Sequence, residues 1–246
     1  MLHSLTVFCD FDGPLVDVSE RYYCTYRQAL AATQAEYARD AIGLTPLTKE
    51  QFWQRKRERT CDLEIALRSG LRVKHVTYFV DRVQQSVNHP DLLSKDRFHP
   101  GVDLALALLH SQGARLAIVT LRHQEQVRAM LQSHGLTRLL TGIYGSSTHD
   151  AAYRNNTEHK QALLAQALAQ HPSENACVIG DTEADLLAAK AAGIPAIALL
   201  CGIRSHSYLQ QYAPNSIQSD LLVAARYLSK YKGAVPEPGR FPLMLG

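Results

Sequence analysis

The sequence predicts an α/β protein: a parallel sheet with helices on both faces, and a helical segment inserted after the first strand. Three observations predict it. Short apolar runs end in a polar residue or a glycine, as strands buried on both faces do. Helical stretches separate the last four of these runs, which is the alternation of a parallel sheet. The stretch between the first and second runs is far longer than a crossover requires.

Taken in order, the first strand is residues 5–9. Residues 19–95 read as mostly helical. Segments 20–33, 49–59 and 73–87 carry helix formers with apolar residues three and four apart, and 43–48 and Gly70 are breaks. Residues 98–101 read as a turn and 102–110 as a helix. Strand 116–119 follows, then helix 124–134, which stops at Gly135. Strand 142–144 leads to the alanine- and leucine-rich helix 158–170. Strand 176–179 leads to helix 182–192, with Gly193 and Pro195 beyond it, and strand 196–200 closes the series. The expected division is therefore a core of residues 1–17 and 98–231, a helical insertion at 18–97, and an irregular tail at 232–246 holding Pro236, Pro238 and Pro242. Both ends of the insertion lie near the end of the first strand. Open α/β sheets bind ligands beyond the carboxyl ends of their strands, so the insertion is placed to act as a lid.

Composition narrows the function classes. With 246 residues, 46% hydrophobic and 20% charged, the chain is long enough for a sizeable core without staples and is neither disordered nor collagen-like. The longest mostly apolar stretch, 191–203, is broken by Pro195 and falls short of the roughly 20 residues of a membrane helix. The first residues lack the charged and apolar regions of a secretory signal. A net charge of 26 − 23 = +3 argues against a dedicated nucleic-acid binder. The five cysteines, Cys9, Cys24, Cys61, Cys177 and Cys201, form no CxxC pair and no zinc spacing, so reduced thiols in a cytoplasmic protein are expected. The histidines form no HExxH or HxH pattern, and no metal is assigned to them.

The chemistry lies at the strand ends. The first strand runs into Asp10-Phe11-Asp12-Gly13, two carboxylates at i and i+2 before a glycine that permits a sharp turn. Beyond the strand both can converge on one cation, although a solvated turn carries the same residue types. The second strand ends in Thr120, a hydroxyl donor that alone reads as an ordinary polar strand end. Lys160 stands near a helix N-terminus, where its charge opposes the helix dipole, a mild conflict that points to a task for the charge. The strand at 176–179 ends in Gly180-Asp181-Thr182-Glu183-Ala184-Asp185, in which Asp181 or Thr182 can serve as a plain helix cap. Together, Asp10, Asp12, Asp181 and Asp185, with Thr120 and Lys160, are predicted at one edge of one sheet. Crowded carboxylates repel unless a cation sits among them. An all-oxygen donor set favours Mg²⁺, which leaves room for water and a phosphate. A carboxylate that attacks phosphorus forms an aspartyl-phosphate, and a second is then needed to protonate the leaving oxygen and to activate water. Asp10 and Asp12 are the pair to divide those tasks.

The chain resembles the phosphatase branch of the haloacid dehalogenase superfamily. Four motifs in the family's order carry the resemblance: Asp10-Phe11-Asp12-Gly13-Pro14-Leu15-Val16-Asp17, Leu116-Ala117-Ile118-Val119-Thr120, Lys160 in His159-Lys160, and Gly180-Asp181-Thr182-Glu183-Ala184-Asp185. The first and fourth are specific, and the second and third are weak alone. The resemblance implies a Rossmann-like core with a C1-type helical cap, and a Mg²⁺-dependent phosphomonoester hydrolase acting through an aspartyl-phosphate. It implies Asp10 as nucleophile and Asp12 as general acid/base, with Thr120 and Lys160 on the phosphoryl group. The metal would be held by Asp10, the backbone carbonyl of Asp12 and Asp181, with Asp185 binding through water or orienting its neighbours. A carboxylate at Asp12 matches the phosphate-processing members. Pro14 departs from the family's usual threonine, which loses a hydroxyl and stiffens the turn.

Two arginines are possible substrate contacts. Arg122, two residues past Thr120, reads otherwise as a surface arginine. Arg204, in Cys201-Gly202-Ile203-Arg204, resembles a Gly-x-Arg segment of phosphoglycolate-phosphatase-like members. The basic run Arg55, Lys56, Arg57 and Arg59, near Trp53, is either an electropositive lid surface or, as expected here, a solvated helix face. The implied partner is a small phosphate ester, 2-phosphoglycolate or a sugar phosphate at the family level, with no nucleic acid and no membrane, on a monomer or homodimer. A phosphomutase like β-phosphoglucomutase is the nearest alternative. A phospho-accepting signalling module, or a binding module on the same fold, is the more distant one.

Overall fold

The computed structural model describes residue 2 and residues 5–148 and 151–230. The elements, in chain order, begin with β1 (Leu5–Cys9), β2 (Val16–Asp17), α1 (Ser19–Glu36), α2 (Lys49–Arg57), α3 (Asp62–Arg68), α4 (Val73–Ser86) and α5 (Pro90–Leu93). Then come β3 (Arg97–Phe98), α6 (Val102–Ser111), β4 (Arg115–His123), α7 (Gln124–Ser133), β5 (Gly142–Ser146), α8 (Ala151–Arg154) and α9 (Thr157–Gln170). The last are β6 (Asn175–Gly180), α10 (Glu183–Ala191), β7 (Ala196–Leu199), α11 (His206–Gln210), β8 (Ser216–Gln218) and α12 (Leu221–Lys230).

Six strands form one parallel sheet in the order β5-β4-β1-β6-β7-β8. β1 is central and buried along its whole length, which suits the apolar Leu-Thr-Val-Phe-Cys run. Its neighbours are β4 on one side and β6 on the other, so the chain reverses its direction of travel across the sheet at β1. Such a reversal opens a crevice at the carboxyl ends of the strands. One face is sealed by Phe8, Ala117, Val119, Val178 and Ala198 packing against Leu163 and Leu164 of α9 and Leu186 of α10. α6 and α12 pack together and cover β4, β7 and β8.

Two compact units result. One runs to Val16 and takes in Phe98–Gly202 and the residues from His206 on; the other holds Asp17–Arg97 with Ile203–Ser205. β2 and β3, paired in a small sheet of their own, carry the chain between the units. The second unit is helical, with a core of Tyr22, Tyr26, Phe52, Ile65, Phe79 and Val83. Tyr26 stacks on Phe52 at 4.7 Å between ring centroids. Its one fully buried cation among the large buried side chains, Arg21, bonds Asp96 at 2.9 Å and Asn88 at 3.0 Å.

Several expectations are revised. β4 continues through Thr120 to His123 where the sequence reads a strand end at 119, because Leu121 is itself an apolar residue that the core buries. Phe98 lies in β3 and Gly101 alone takes the left-handed conformation expected of a turn. β8 and α12 were not anticipated, and α3, within the stretch read as mostly helical, was not resolved as a separate helix; β8 is a three-residue edge strand with little apolar pattern. The basic run is only partly a solvated face. Lys56 is 12% exposed and pairs with Asp62 at 3.1 Å, and burial lowers its pKa, whereas Arg55 beside Glu58 stays wet. The tail at 232–246 lies outside the described residues. No helix among the described residues is long and apolar enough to cross a membrane.

Candidate active site

The three strands that end in polar residues are neighbours. Cys9 pairs with Ile118 of β4 and with Ile179 of β6, so Asp10, Thr120 and Asp181 emerge at the same end of adjacent strands. The ladder continues one step past β1, where the Asp10 N–H donates to the Ile179 carbonyl at 2.9 Å. The chain then turns at once: Leu15 and Val16 donate back to the Phe11 carbonyl, and Gly13 donates to the Val16 carbonyl. Gly13 has φ +99°, a left-handed conformation that a side chain would strain, and a Cβ there would overlap the Asp181 carboxylate. A Cβ at Gly202 would overlap it too, so two backbone segments close on that side chain without touching it with atoms of their own side chains.

Asp10 is 8% exposed. Its Oδ1 accepts from the Phe11 N–H at 2.7 Å and lies 2.9 Å from Lys160 Nζ. Lys160 enters from the first turn of α9, whose start is capped by Asn156 accepting from the His159 N–H at 2.7 Å. The ammonium reaches a second carboxylate, Asp185 Oδ1, at 2.6 Å. Asp185 stands in the first turn of α10, where its Oδ2 accepts from the Thr182 N–H at 3.1 Å and the Thr182 hydroxyl at 2.7 Å. Thr182, not Asp181, is therefore the residue before the helix, and Asp181 is left to face the other carboxylates.

Carboxylate oxygens of Asp10, Asp181 and Asp185 all lie within 4.8 Å of one another, and all three residues are buried. Burial first, and then the charge of Asp185, push the Asp10 carboxyl up to about 7 against the pull of Lys160. The ammonium of Lys160 feels the converse: burial alone would depress it, but Asp10 and Asp185 raise it above its ordinary value. Burial, then the Asp10 and Asp185 charges, also hold the neighbouring Cys9 thiol well above its usual range. Lys160 thus pairs with two of the three carboxylates, Asp10 and Asp185. Their donor set is all oxygen, with an excess of negative charge that a divalent cation would neutralise, and it fits a hard cation such as Mg²⁺.

Asp12 sits on the turn, part-exposed at 15% of its side chain. Its Oδ1 accepts from Arg122 Nη1 at 3.0 Å. The surface position expected for Arg122 is corrected: the residue is 4% exposed, because the Asp12 carboxylate and the Phe11 ring, 5.5 Å from the guanidinium, take the place of water. Thr120 is 1% exposed, and its Oγ1 accepts from the Arg122 N–H at 3.2 Å. The ladder between β4 and β5 shifts register between Thr120 and His123, so Arg122 stands on an irregular part of the strand. Arg204 was the other arginine expected to contact substrate. It belongs to the helical unit, where its guanidinium donates to the carbonyls of Lys56 at 3.1 Å and Ile203 at 3.4 Å. The pairing of Arg122 with Asp12 was missed by sequence reasoning; the available signal was the charge two residues past a polar strand end.

Comparisons with known proteins agree with this architecture. The family model described as haloacid dehalogenase-like hydrolase matches residues 7–199. A phosphoglycolate phosphatase of Mesorhizobium japonicum is 25% identical over 89% of this chain and 92% of its own. One of Synechococcus elongatus is 27% identical over 91% of this chain and 98% of its own. Among solved structures, a haloacid dehalogenase-like family hydrolase from Streptococcus pneumoniae superposes with a TM-score of 0.65 at 25% identity, covering 92% of this chain and 99% of that one.

Proposed function

The chain belongs to the haloacid dehalogenase-like hydrolase family, and from that premise we propose that it is a Mg²⁺-dependent phosphomonoesterase acting on a small organic phosphate. The observation that carries the reading is the buried group of Asp10, Asp181 and Asp185 around Lys160 at the reversal point of the sheet. Asp10, Asp181 and Asp185, with the backbone carbonyl of Asp12, would hold the metal, which supplies positive charge for the phosphoryl oxygens and keeps Asp10 ionised.

The residues then divide the work. A carboxylate oxygen of Asp10 attacks phosphorus, and the P–O bond to the alcohol breaks as the new O–P bond forms. Asp12 gives its proton to the departing oxygen, and the alcohol leaves. The same carboxylate next takes a proton from water, whose oxygen attacks the aspartyl-phosphate. Inorganic phosphate departs and Asp10 is restored. Lys160 and the Thr120 hydroxyl stabilise the charge on the non-bridging oxygens as it spreads in the transition state.

2-Phosphoglycolate is the first ester to test, because two relatives that share most of the chain's length carry that activity in their names. The experiment is phosphate release across a panel of small phosphate esters, with and without Mg²⁺, alongside Asp10→Asn. Mg²⁺-dependent release that Asp10→Asn abolishes supports the reading, and the best ester names the substrate. Release that survives Asp10→Asn, or none from any ester in folded protein, overturns it.

A further inference from the structure

We infer that the outer face of α3 is the contact surface of a two-fold dimer, with a second copy of this chain as its partner. α3 buries Ile65 and Ala66 in the helical unit. The opposite face carries Leu63 with Leu67 and Glu64 with Arg68, each pair four residues apart and so on one side of the helix. A surface helix ordinarily turns its polar residues outward. Here the two leucines are 45% and 40% exposed, and Val73, the first residue of α4 after the link 69–72, is 71% exposed. Three of the five large apolar side chains exposed among the described residues therefore fall within residues 63–73. Single exposed apolar residues are ordinary, whereas a group of them rimmed by charge is the composition of a contact surface.

Charge selects the partner. The first turn of α3 is acidic, with Asp62 and Glu64, and its last turn is basic, with Arg68. A helix of this polarity complements itself when two copies run antiparallel. The basic end of each then lies against the acidic first turn of the other, and the two helix dipoles oppose. A two-fold axis beside Ile65 exchanges positions equally far on either side of it, which sets Leu63 of one copy against Leu67 of the other. Self-complementarity of this kind is the requirement of an isologous contact. Glu64 and Arg68 already pair within the helix at 2.8 Å, so the charged row is ordered before the copies meet, which lowers the cost of association. Three exposed apolar side chains fall well short of the roughly 800 Å² per partner of a standard interface. The dimer is therefore weak, with a Kd on the order of 10 µM or more.

The test is analytical ultracentrifugation of the full chain from about 1 µM to about 300 µM, a range that brackets such a Kd. The wild-type chain is expected to pass from monomer toward dimer across it, and Leu67→Glu to stay monomeric throughout. Leu63→Glu carries that arm if Leu67→Glu does not fold. Glu64→Arg and Arg68→Glu each set like charges against one another in a homodimer, and each is expected to weaken it about tenfold or more. Mixing these two variants restores opposite charges across the contact, so the mixture is expected to associate more tightly than either variant alone. A wild-type chain that stays monomeric at the highest concentration overturns the inference. A dimer that survives the leucine substitution and both charge reversals uses another surface, and overturns it as well. So does a mixture that associates no better than its components, because the two copies would then not meet antiparallel through α3. None of these readouts depends on turnover, so their outcome is separate from that of the proposed reaction.

Discussion

Both units of this molecule bury charge, but they do so in opposite ways. In the helical unit Arg21 pairs with Asp96, and Asn88 also accepts a hydrogen bond from its guanidinium. In the sheet unit Lys160 pairs with Asp10 and Asp185, and the carboxylate of Asp181 lies close to both of theirs, so three carboxylates crowd together with one ammonium among their partners. A matched pair repays part of its desolvation through its own attraction. An unmatched cluster does not, and Asp10 shows the cost as a carboxyl pushed up to about 7 by burial and by Asp185. The first arrangement holds helices together. The second leaves an excess of negative charge, which the metal of the proposed function would neutralise.

The largest expected effect separates the two directly. Asp10→Asn should abolish phosphate release, by at least about 10³-fold for loss of a nucleophile. The metal-free protein should unfold at the same temperature or higher, because one of the repelling charges is gone. A clear fall in melting temperature would show that the cluster is structural after all. Arg21→Met should do the reverse. Removing one partner of a buried pair strands Asp96 and costs about 3 kcal/mol, read by denaturant unfolding; a loss below about 1 kcal/mol would remove the contrast drawn here.

A gentler probe is the dependence of metal binding on pH. The folded-state pKa of Asp10 lies above its ordinary value, so its contribution to the stability of the metal-free protein is full below about 4 and is lost as pH rises through about 7. Mg²⁺ binds the ionised form. Its stabilising shift in melting temperature should therefore be larger at pH 8 than at pH 5.5, and an equal shift at both would detach Asp10 from the metal. The smallest effect concerns thiols. Cys177, buried on β6 and pushed up to about 12 by that burial, should resist alkylation in the native state, while exposed Cys61 of the helical unit reacts. Mass spectrometry of the alkylated protein decides, and early labelling of Cys177 would mean that the sheet opens.

The fold was legible where a pattern is local. The run at 5–9 is β1 residue for residue, and helices at 49, 73, 102 and 124 begin where the spacing of apolar residues begins. The short pieces were not legible: α3 and β8 owe their form to the surfaces they pack on more than to their own sequence. In the site, the acidic residues stood out because a strand, a turn and a carboxylate are read within a few residues of one another. Lys160 gave only a faint signal, a charge misplaced against a helix dipole, and the structure supplies its partners. Arg122 gave almost none, since nothing near it in the chain hints that a phenyl ring and a carboxylate will enclose it.

By itself the sequence determined the alternation of strands and helices, the place of the insertion, and the ends at which carboxylates are displayed. These are consequences of periodicity and turn chemistry, which act over a few residues. Only the tertiary structure decided which charges meet. β4 and β6 must first settle on either side of β1, and α9 and α10 on one face, before Lys160 can lie between Asp10 and Asp185 or Arg122 against Asp12. Ion pairs are made through space across segments far apart in the chain, and their strength depends on the water that the assembled fold excludes.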